Sequence, residues 1–173
     1  TKRPERMEGA IGPDGSPSGT GSQPTFARPR MPGLQPDGLI TLHNQWSLNP
    51  AGSHLELGDF PVDIALAPGG EYAAVLHSGQ GTHEVVMVHL KDKSIAARVP
   101  VPQSFYGLCF SPDGTRVFAS GGEYDVVHRW NVGSDGLLSE HATIRIVPIK
   151  ESFVVGGLSM SADGSQLFAC GTW

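Results

Sequence analysis

The fold is decided by a stretch in the middle of the chain, which reads Gly107-Leu108-Cys109-Phe110-Ser111-Pro112-Asp113-Gly114 and leads into Arg116-Val117-Phe118-Ala119-Ser120. Apolar and small residues alternate on both sides of the Ser-Pro-Asp-Gly segment, as in two antiparallel strands joined by a tight turn. Proline presets φ at the first central position of such a turn, aspartate bonds to the local backbone, and glycine accepts a positive φ. The stretch therefore predicts a β-hairpin.

This pattern occurs three times along the chain. Strand, turn and strand read as Asp63–Gly70 with Tyr72–Leu76, as Gly107–Gly114 with Arg116–Ser120, and as Gly157–Gly164 with Gln166–Cys170. The equivalent turn positions, Pro68, Pro112 and Ala162, are 44 and then 50 residues apart. A repeat of about 40–50 residues with several short strands is typical of one β-propeller blade.

Further strands complete the first two repeats. The sequence continues with Val85–Leu90, a turn at Lys91-Asp92-Lys93 and Ile95–Val99 in the first, and with Val126–Trp130, a turn at Gly133–Gly136 and Ala142–Val147 in the second. Each of these repeats therefore predicts four antiparallel strands. Ahead of them, alternation over Leu39–Leu42 and His54–Leu57, on either side of Asn49–Gly52, predicts a leading hairpin.

The predicted fold is all-β: a β-propeller of four-stranded antiparallel blades, present as an incomplete arc. Its parts are a hairpin at 38–58, blades at 59–102 and 103–150, and half a blade at 151–173 that stops at Trp173. Because closed propellers have about 4–8 blades, we expect the chain to be the N-terminal part of a longer protein. The remaining blades of the same ring are then its first partners.

Residues 1–37 differ in composition from everything after them. They contain 7 Pro and 6 Gly, and their one aromatic residue is Phe26. Because so little apolar surface is available for burial, the segment cannot offset the entropy lost on ordering. We therefore expect a disordered leader.

Composition excludes several other classes of protein. The chain has 173 residues, a net charge of -5, 23 Gly and 14 Pro, and 17% of its residues are charged. A helical bundle would be richer in charge and poorer in Gly and Pro, while nucleic-acid binding needs clustered basic residues. No apolar run reaches the roughly 18 residues of a membrane span. Cys109 and Cys170 lack metal or haem spacing and are expected to be buried free thiols, and no cofactor is predicted.

The turn motif also carries a family resemblance. Ser-Pro-Asp-Gly-x-x-Val-Phe-Ala at 111–119, with its equivalents at 67–75 and 161–169, resembles the YVTN/YncE-type propeller repeat. The stretch from Trp46 to Pro61 resembles the opening of bacterial proteins that carry this propeller, some of which continue into a phosphoesterase domain. The resemblance implies a seven-bladed ring whose last blade is completed by an early hairpin. It also implies an exported protein, periplasmic or extracellular.

Candidate binding residues fall in the loops between the second and third strands of the blades. His77 and His83 flank a loop in blade one that is three residues longer than its counterpart in blade two, which contains Glu123, Tyr124 and Asp125. All five are expected on one propeller face, where repeat proteins often bind ligands. Together with Arg129, the carboxylates and the aromatic ring suit a cation or a sugar; ordinary solvated loop residues are the alternative. The spacing of the histidines fits no zinc motif, so no metal site is predicted.

Aromatic residues recur just before the innermost strand of each repeat. They are Phe60, Phe105, Tyr106 and Phe153. Packing between neighbouring blades is the favoured interpretation for such rings, and stacking against a ligand is the alternative. Trp46 and Trp130 are predicted to lie in the core or at a blade interface.

No catalytic motif is present, whether a GxSxG elbow, a P-loop, HExxH or a dinucleotide fingerprint. The favoured function is therefore a non-catalytic propeller scaffold or binding module, with no catalytic residues assigned. The alternative is a lactonase-like hydrolase of sugar lactones, because Tyr106–Gly114 and Trp130–Leu138 are similar to sugar-lactonase propellers. A third possibility is a redox propeller of the quinoprotein or haem d1 kind, although the chain lacks a CxxCH motif.

Overall fold

The computed structural model describes residues 29–49, 51–146 and 154–171. In these residues the chain forms thirteen β-strands and no helix, which confirms the predicted all-β class. Internal contacts divide the chain into two compact units, Thr1–Gly52 and Ser53–Trp173.

The first unit contains a small antiparallel sheet of three two-residue strands. They are β1 (Gly33–Leu34), β2 (Ile40–Thr41) and β3 (Ser47–Leu48), with β2 in the middle. The Gln45 side chain braces this sheet, because its amide oxygen accepts a hydrogen bond from the Arg30 N–H at 2.9 Å and its amide nitrogen donates to the Arg30 carbonyl at 3.0 Å. Strand β1 lies within the stretch 1–37 that was expected to be a disordered leader; residues 1–28 of that leader lie outside the described residues.

The predicted leading hairpin differs from the structure in its second strand. Strand β2 pairs with Ser47–Leu48 rather than with His54–Leu57, which forms no strand. The chain turns back early because Asn44 accepts a hydrogen bond from the Trp46 N–H at 3.1 Å and Gln45 adopts a positive φ of 68°. Trp46 is therefore exposed rather than part of a core.

The second unit contains the three repeats as three antiparallel sheets. The first sheet consists of β4 (Pro61–Leu66), β5 (Tyr72–His77), β6 (Glu84–His89) and β7 (Ser94–Pro100). The second consists of β8 (Leu108–Phe110), β9 (Arg116–Ser120), β10 (Val126–Val132) and β11 (Leu138–Arg145). The third consists of β12 (Val155–Met160) and β13 (Leu167–Gly171). Within each sheet, strands that follow one another in sequence are neighbours in space. The predicted four-stranded antiparallel blades are thus confirmed.

The turn chemistry inferred from Ser-Pro-Asp-Gly is visible at Asp113. Its carboxylate accepts hydrogen bonds from the Ser111 hydroxyl at 2.5 Å and the Thr115 N–H at 3.0 Å. These bonds, the Ser111 bond first, lower the pKa of Asp113 to about 2. Gly114 takes the positive φ of 72° that the turn requires. Asp163 makes the same bonds in the third repeat, and its pKa is likewise lowered to about 2.

Neighbouring turns nest against each other in a repeating way. A β-carbon built on Gly114 would lie 3.4 Å from Cδ of Pro68 in the preceding repeat. One built on Gly164 would lie at the same 3.4 Å from Cδ of Pro112. Each glycine therefore packs on the proline one blade earlier, which is the relation expected between successive repeats.

Apolar side chains fill both spaces between the sheets. Between the first and second sheets, Leu76, Met87 and Trp130 belong to one buried cluster, so the predicted core position of Trp130 is confirmed. Between the second and third sheets, Phe118 and Val155 anchor another cluster. The second sheet is therefore covered on both faces.

The first sheet has an open apolar outer face at strand β4, beside the part of that face that Leu55 and Leu57 cover, and the outer face of the third sheet is also open. Ile64 and Leu66 on β4 are 64% and 65% exposed, and Phe168 on β13 is 56% exposed. Cys170 shares the outer face of the third sheet and is exposed, whereas Cys109 is half-buried. The expectation of two buried thiols was therefore wrong for Cys170, because the described part of the chain places nothing over that face.

Candidate functional site

The candidate site lies at one edge of the blades, which we call the loop face: residues 58–60, 78–83, 101–107 and 121–125. In an antiparallel meander, the loop between the second and third strands lies at the same edge as the segment that enters the first strand. Hydrogen bonds join these segments, as in the bond from the Ser78 hydroxyl to the Ser104 carbonyl at 2.9 Å. The β9–β10 loop also reaches the third sheet, where the Val155 N–H donates to the Gly122 carbonyl at 3.1 Å.

His83 is held on the loop face by bonds to both ring nitrogens. Nδ1 accepts a hydrogen bond from the Ser104 N–H at 2.9 Å, and Nε2 lies 3.0 Å from the Gly79 carbonyl. A carbonyl oxygen only accepts, so Nε2 must carry the proton. These contacts fix one tautomer of a neutral imidazole and tie the β5–β6 loop to the segment that enters β8.

Ser104 and His83 together look like a nucleophile and its base, since the Ser104 hydroxyl lies 3.1 Å from Nδ1 of His83. The hydrogen bonds assign them another role. The one hydroxyl proton of Ser104 goes to the His77 carbonyl at 2.8 Å, and Ser104 is only 3% exposed. A nucleophilic serine needs its proton directed at the base and its oxygen open to substrate. This pair therefore links loops and does not attack a substrate in this conformation.

His77 lies beneath the loop face rather than on it. Its side chain is 1% exposed, and neither ring nitrogen has a hydrogen-bond partner. Nδ1 is 3.8 Å from a Glu84 oxygen, which is itself paired with Arg98 at 2.5 Å. Burial lowers the pKa of His77, against the raising effect of Glu84. The ring is thus neutral near pH 7, and a ligand on the loop face cannot touch it.

The other predicted residues lie along two adjoining clefts. His83 and Glu123 both line a cleft of about 370 Å³ that also contains Ser104 and Phe105. Glu123 lines a second open cleft of about 480 Å³ as well, next to Tyr124 and Asp125. The structure therefore brings four of the five predicted residues to two neighbouring clefts that share Glu123. Arg145 is the basic side chain that lines the second cleft, in place of the expected Arg129.

The aromatic residues that were expected to wedge blades together are exposed instead. Phe60, Phe105 and Tyr106 each present their ring to solvent on the loop face, while Phe153 lies outside the described residues. Phe60 lines a third cleft of about 470 Å³ beside Asp59, whose carboxylate accepts a hydrogen bond from the Gly81 N–H at 2.8 Å. Blade packing comes from the strand side chains, which leaves these rings free to contact a ligand.

Sequence reasoning missed a cluster of three rings at the second cleft. Nδ1 of His128 lies 3.0 Å from Nε2 of His141, and the His141 ring stacks on Trp130 with a centroid distance of 4.9 Å and an interplanar angle of 18°. Burial, and then the neighbouring His141, lower the pKa of His128. The nearby Gln103 carbonyl raises the pKa of His128 and so partly offsets these effects. Nε2 of His128 nevertheless has no hydrogen-bond partner. The two histidines are 13 residues apart, and no motif links them.

Neither a three-residue metal cluster nor a membrane-spanning helix is present in the described ranges. Among those residues, no three histidine, cysteine, aspartate or glutamate side chains are arranged to enclose a metal ion. The same residues form no helix long and apolar enough to cross a membrane.

The chain was also compared with known proteins. No protein-family model matches it, and no curated protein matches it. Solved structures do match. Hydrazine synthase from Kuenenia stuttgartiensis aligns with a TM-score of 0.51 at 13% identity, over 61% of this chain and 35% of that one.

Two other solved structures align less well. A functionally unknown protein from Desulfotomaculum acetoxidans gives a TM-score of 0.46 at 12% identity, over 76% of this chain and 54% of that one. The gluconolactonase XC5397 from Xanthomonas campestris gives a TM-score of 0.47 at 23% identity, over 72% of this chain and 40% of that one. The chain thus spans between about a third and just over half the length of these proteins.

At such low identity the likeness concerns the fold alone. The four-stranded antiparallel blades, the nested turns and the alignment to hydrazine synthase together define a β-propeller architecture. The described residues form an incomplete arc of it, with two whole blades and half of a third.

Proposed function

We propose that this chain is part of a YVTN/YncE-like β-propeller that acts as a non-catalytic scaffold and binding module. In this proposal the loop face binds a ligand or partner, and other blades cover the two open outer faces. The resemblance in the repeat motif further supports an exported bacterial protein, periplasmic or extracellular, in which a phosphoesterase-type domain follows the propeller.

The observation that carries the binding role is the row of clefts along the loop face. Three clefts of about 370–480 Å³ adjoin one another there. Exposed rings of Phe60, Phe105 and Tyr124 stand beside the carboxylates of Asp59 and Glu123. Binding sites combine apolar surface with a few polar groups that fix orientation, and these clefts provide both.

The open outer faces support the claim that further blades exist. Ile64 and Leu66 on one side and Phe168 on the other are large apolar side chains on sheet faces that propellers normally bury. Each side chain of this size gains about 1.5–3 kcal/mol from full burial. Neighbouring blades would supply that burial.

The hydrogen bonds of Ser104 and His83 support a non-catalytic role. Both the serine proton and the histidine Nε2 proton are given to backbone carbonyls, so neither group is poised for proton transfer to a substrate. Glu123 remains as an acidic side chain lining two clefts. With Asp59 and Asp125, it is one of three carboxylates in these clefts that a hydrolytic alternative would use.

The proposal is tested by lactone hydrolysis on the complete protein. Glucono-δ-lactone and its 6-phosphate are followed at constant pH by base uptake, with the Glu123→Gln variant as the matched control. We expect the rate to equal spontaneous hydrolysis for both proteins. A faster rate that Glu123→Gln abolishes would overturn the non-catalytic role and establish the lactonase-like alternative.

A further inference from the structure

An irregular pairing between β10 and β11 shapes the second cleft. Arg129 pairs with Ala142, but the next paired position, Asn131, lies opposite Ser139. Two residues, Glu140 and His141, therefore face the single Trp130, which is a β-bulge. Bulges redirect side chains and occur often beside binding sites.

The bulge is held in place by specific interactions. Glu140 adopts a positive φ of 50°, which is costly for a residue with a side chain. Its carboxylate accepts a hydrogen bond of 2.7 Å from the Asn131 amide across the strand pair. The distortion is thus stabilised locally. His128 pairs with Thr143, so His141, two residues further along β11, lies on the same face of the sheet as His128 and directly beside the bulge.

We propose that His128 and His141 form a chelating pair for a divalent transition metal, with Cu²⁺ as the preferred ion. The proposal names the ligand class of one cleft on the proposed binding face, and in that sense it rests on the proposed function. It does not rest on ring closure, because both histidines belong to adjacent strands of a single sheet.

The two nitrogens are close enough to bind one metal ion together. Nδ1 of His128 and Nε2 of His141 are 3.0 Å apart. With metal–nitrogen bonds of about 2.05 Å, that spacing gives a nitrogen–metal–nitrogen angle of about 94°. Tetragonal Cu²⁺ places neighbouring ligands near 90°, and among the divalent first-row metals it binds nitrogen ligands most tightly.

The proton balance allows both nitrogens to bind at once. In the metal-free pair, one proton lies between the two rings. The exposed His141 ring can release it from Nε2 and take up a proton at Nδ1 from water. Two neutral imidazoles then present two lone pairs to the metal, and the number of bound protons does not change.

The surroundings make one half of the pair rigid and the other adjustable. His128 is 2% exposed, which fixes its ring, whereas His141 is exposed and can turn on the face of Trp130. The open cleft of about 480 Å³ in front of the pair leaves room for water at the remaining coordination positions. Glu123 and Asp125 line that cleft and favour a cation, against the single Arg145.

The probe for this site is Cu²⁺ added as its iminodiacetate complex to the complete protein. Iminodiacetate occupies three positions and leaves two neighbouring ones open, so the probe selects paired imidazoles over isolated histidines. We expect one equivalent to bind, with electron paramagnetic resonance showing two protein nitrogens. Because His141 stacks on Trp130, the bound ion should also quench Trp130 fluorescence, and Trp130→Phe should abolish that quenching without abolishing binding.

Histidine variants test whether His128 and His141 bind the ion together. His141→Ala changes an exposed residue, and it should weaken binding about a hundredfold, as expected when a second contact is lost from a chelate. His54→Ala, at another exposed histidine, should leave affinity unchanged. Equal affinity in wild type and His141→Ala, or binding without quenching of Trp130, would refute the site. Lactone turnover in the complete protein would overturn the proposed function while leaving this result intact.

Discussion

Substitution of Gly107 by alanine should destabilise the protein through a clash between the second and third sheets. A β-carbon at this position would lie 2.3 Å from the Gly156 carbonyl oxygen and 2.9 Å from the Leu158 nitrogen. Ordinary carbon–oxygen contacts are about 3.3 Å or longer, so the sheets would have to separate by about 1 Å. Gly107 also has a φ of 135°, which L-residues rarely adopt.

The expected loss of stability is the sum of these two effects. Overpacking of this kind costs about 1–3 kcal/mol, and an unfavourable positive φ adds about 1–3 kcal/mol. Gly107→Ala should therefore lower the free energy of unfolding by about 2–6 kcal/mol. Urea denaturation followed by circular dichroism measures this change.

Two glycines of the first turn separate the contributions. Gly70 has a φ of 71° and nothing within 4 Å of its would-be β-carbon, so Gly70→Ala should show the backbone effect without a clash. Gly69 also has nothing within 4 Å and no positive φ, so Gly69→Ala should be nearly neutral. The packing of the second sheet on the third would be refuted if Gly107→Ala cost no more than Gly70→Ala.

Three further predictions concern the core, the turn and the loop face. Met87→Ala removes a fully buried side chain between the first and second sheets and should cost about 2–5 kcal/mol in urea denaturation, whereas a loss below about 1 kcal/mol would contradict that packing. Because the pKa of Asp113 is lowered to about 2, its carboxylate stabilises the fold above about pH 4 and loses that effect as the pH falls toward 2. Asp113→Asn should therefore be less stable than wild type at pH 6 and equal to it near pH 2. A difference in unfolding free energy that stays constant with pH would contradict this. Ser104→Ala removes the hydroxyl bond to the His77 carbonyl, so it should lower the free energy of unfolding by about 0.5–1.5 kcal/mol in urea denaturation, and a neutral result would show that the bond does not brace the loops.

The blades could be predicted from sequence because their turns are chemically local. Ser111, Asp113 and Gly114 bond to one another within four residues, so the motif determines the hairpin wherever it occurs. Strand alternation then supplies the burial pattern, and Trp130 is placed correctly in the core.

The remaining features depend on contacts that no local pattern records. His54–Leu57 alternates like a strand, yet Leu55 and Leu57 pack on the outer face of the first sheet without strand pairing. His77 stands at a strand end, but Gly58 lies against its ring; a β-carbon there would be 3.8 Å from Nε2. His128 and His141 lie on two strands whose pairing register no local motif records, so their contact could not be predicted from the sequence.

The central claim is that further blades cover the outer faces of this arc, and labelling of Cys170 tests it most directly. This thiol is exposed on the outer face of the third sheet, while Cys109 is half-buried with its pKa raised to about 11 by burial and serves as an internal control. In the complete protein, at concentrations where it is monomeric, both thiols should react with a maleimide far more slowly in the folded state than in urea. Contradiction would come from a Cys170 that reacts as fast when folded as when unfolded, with Cys109 still protected.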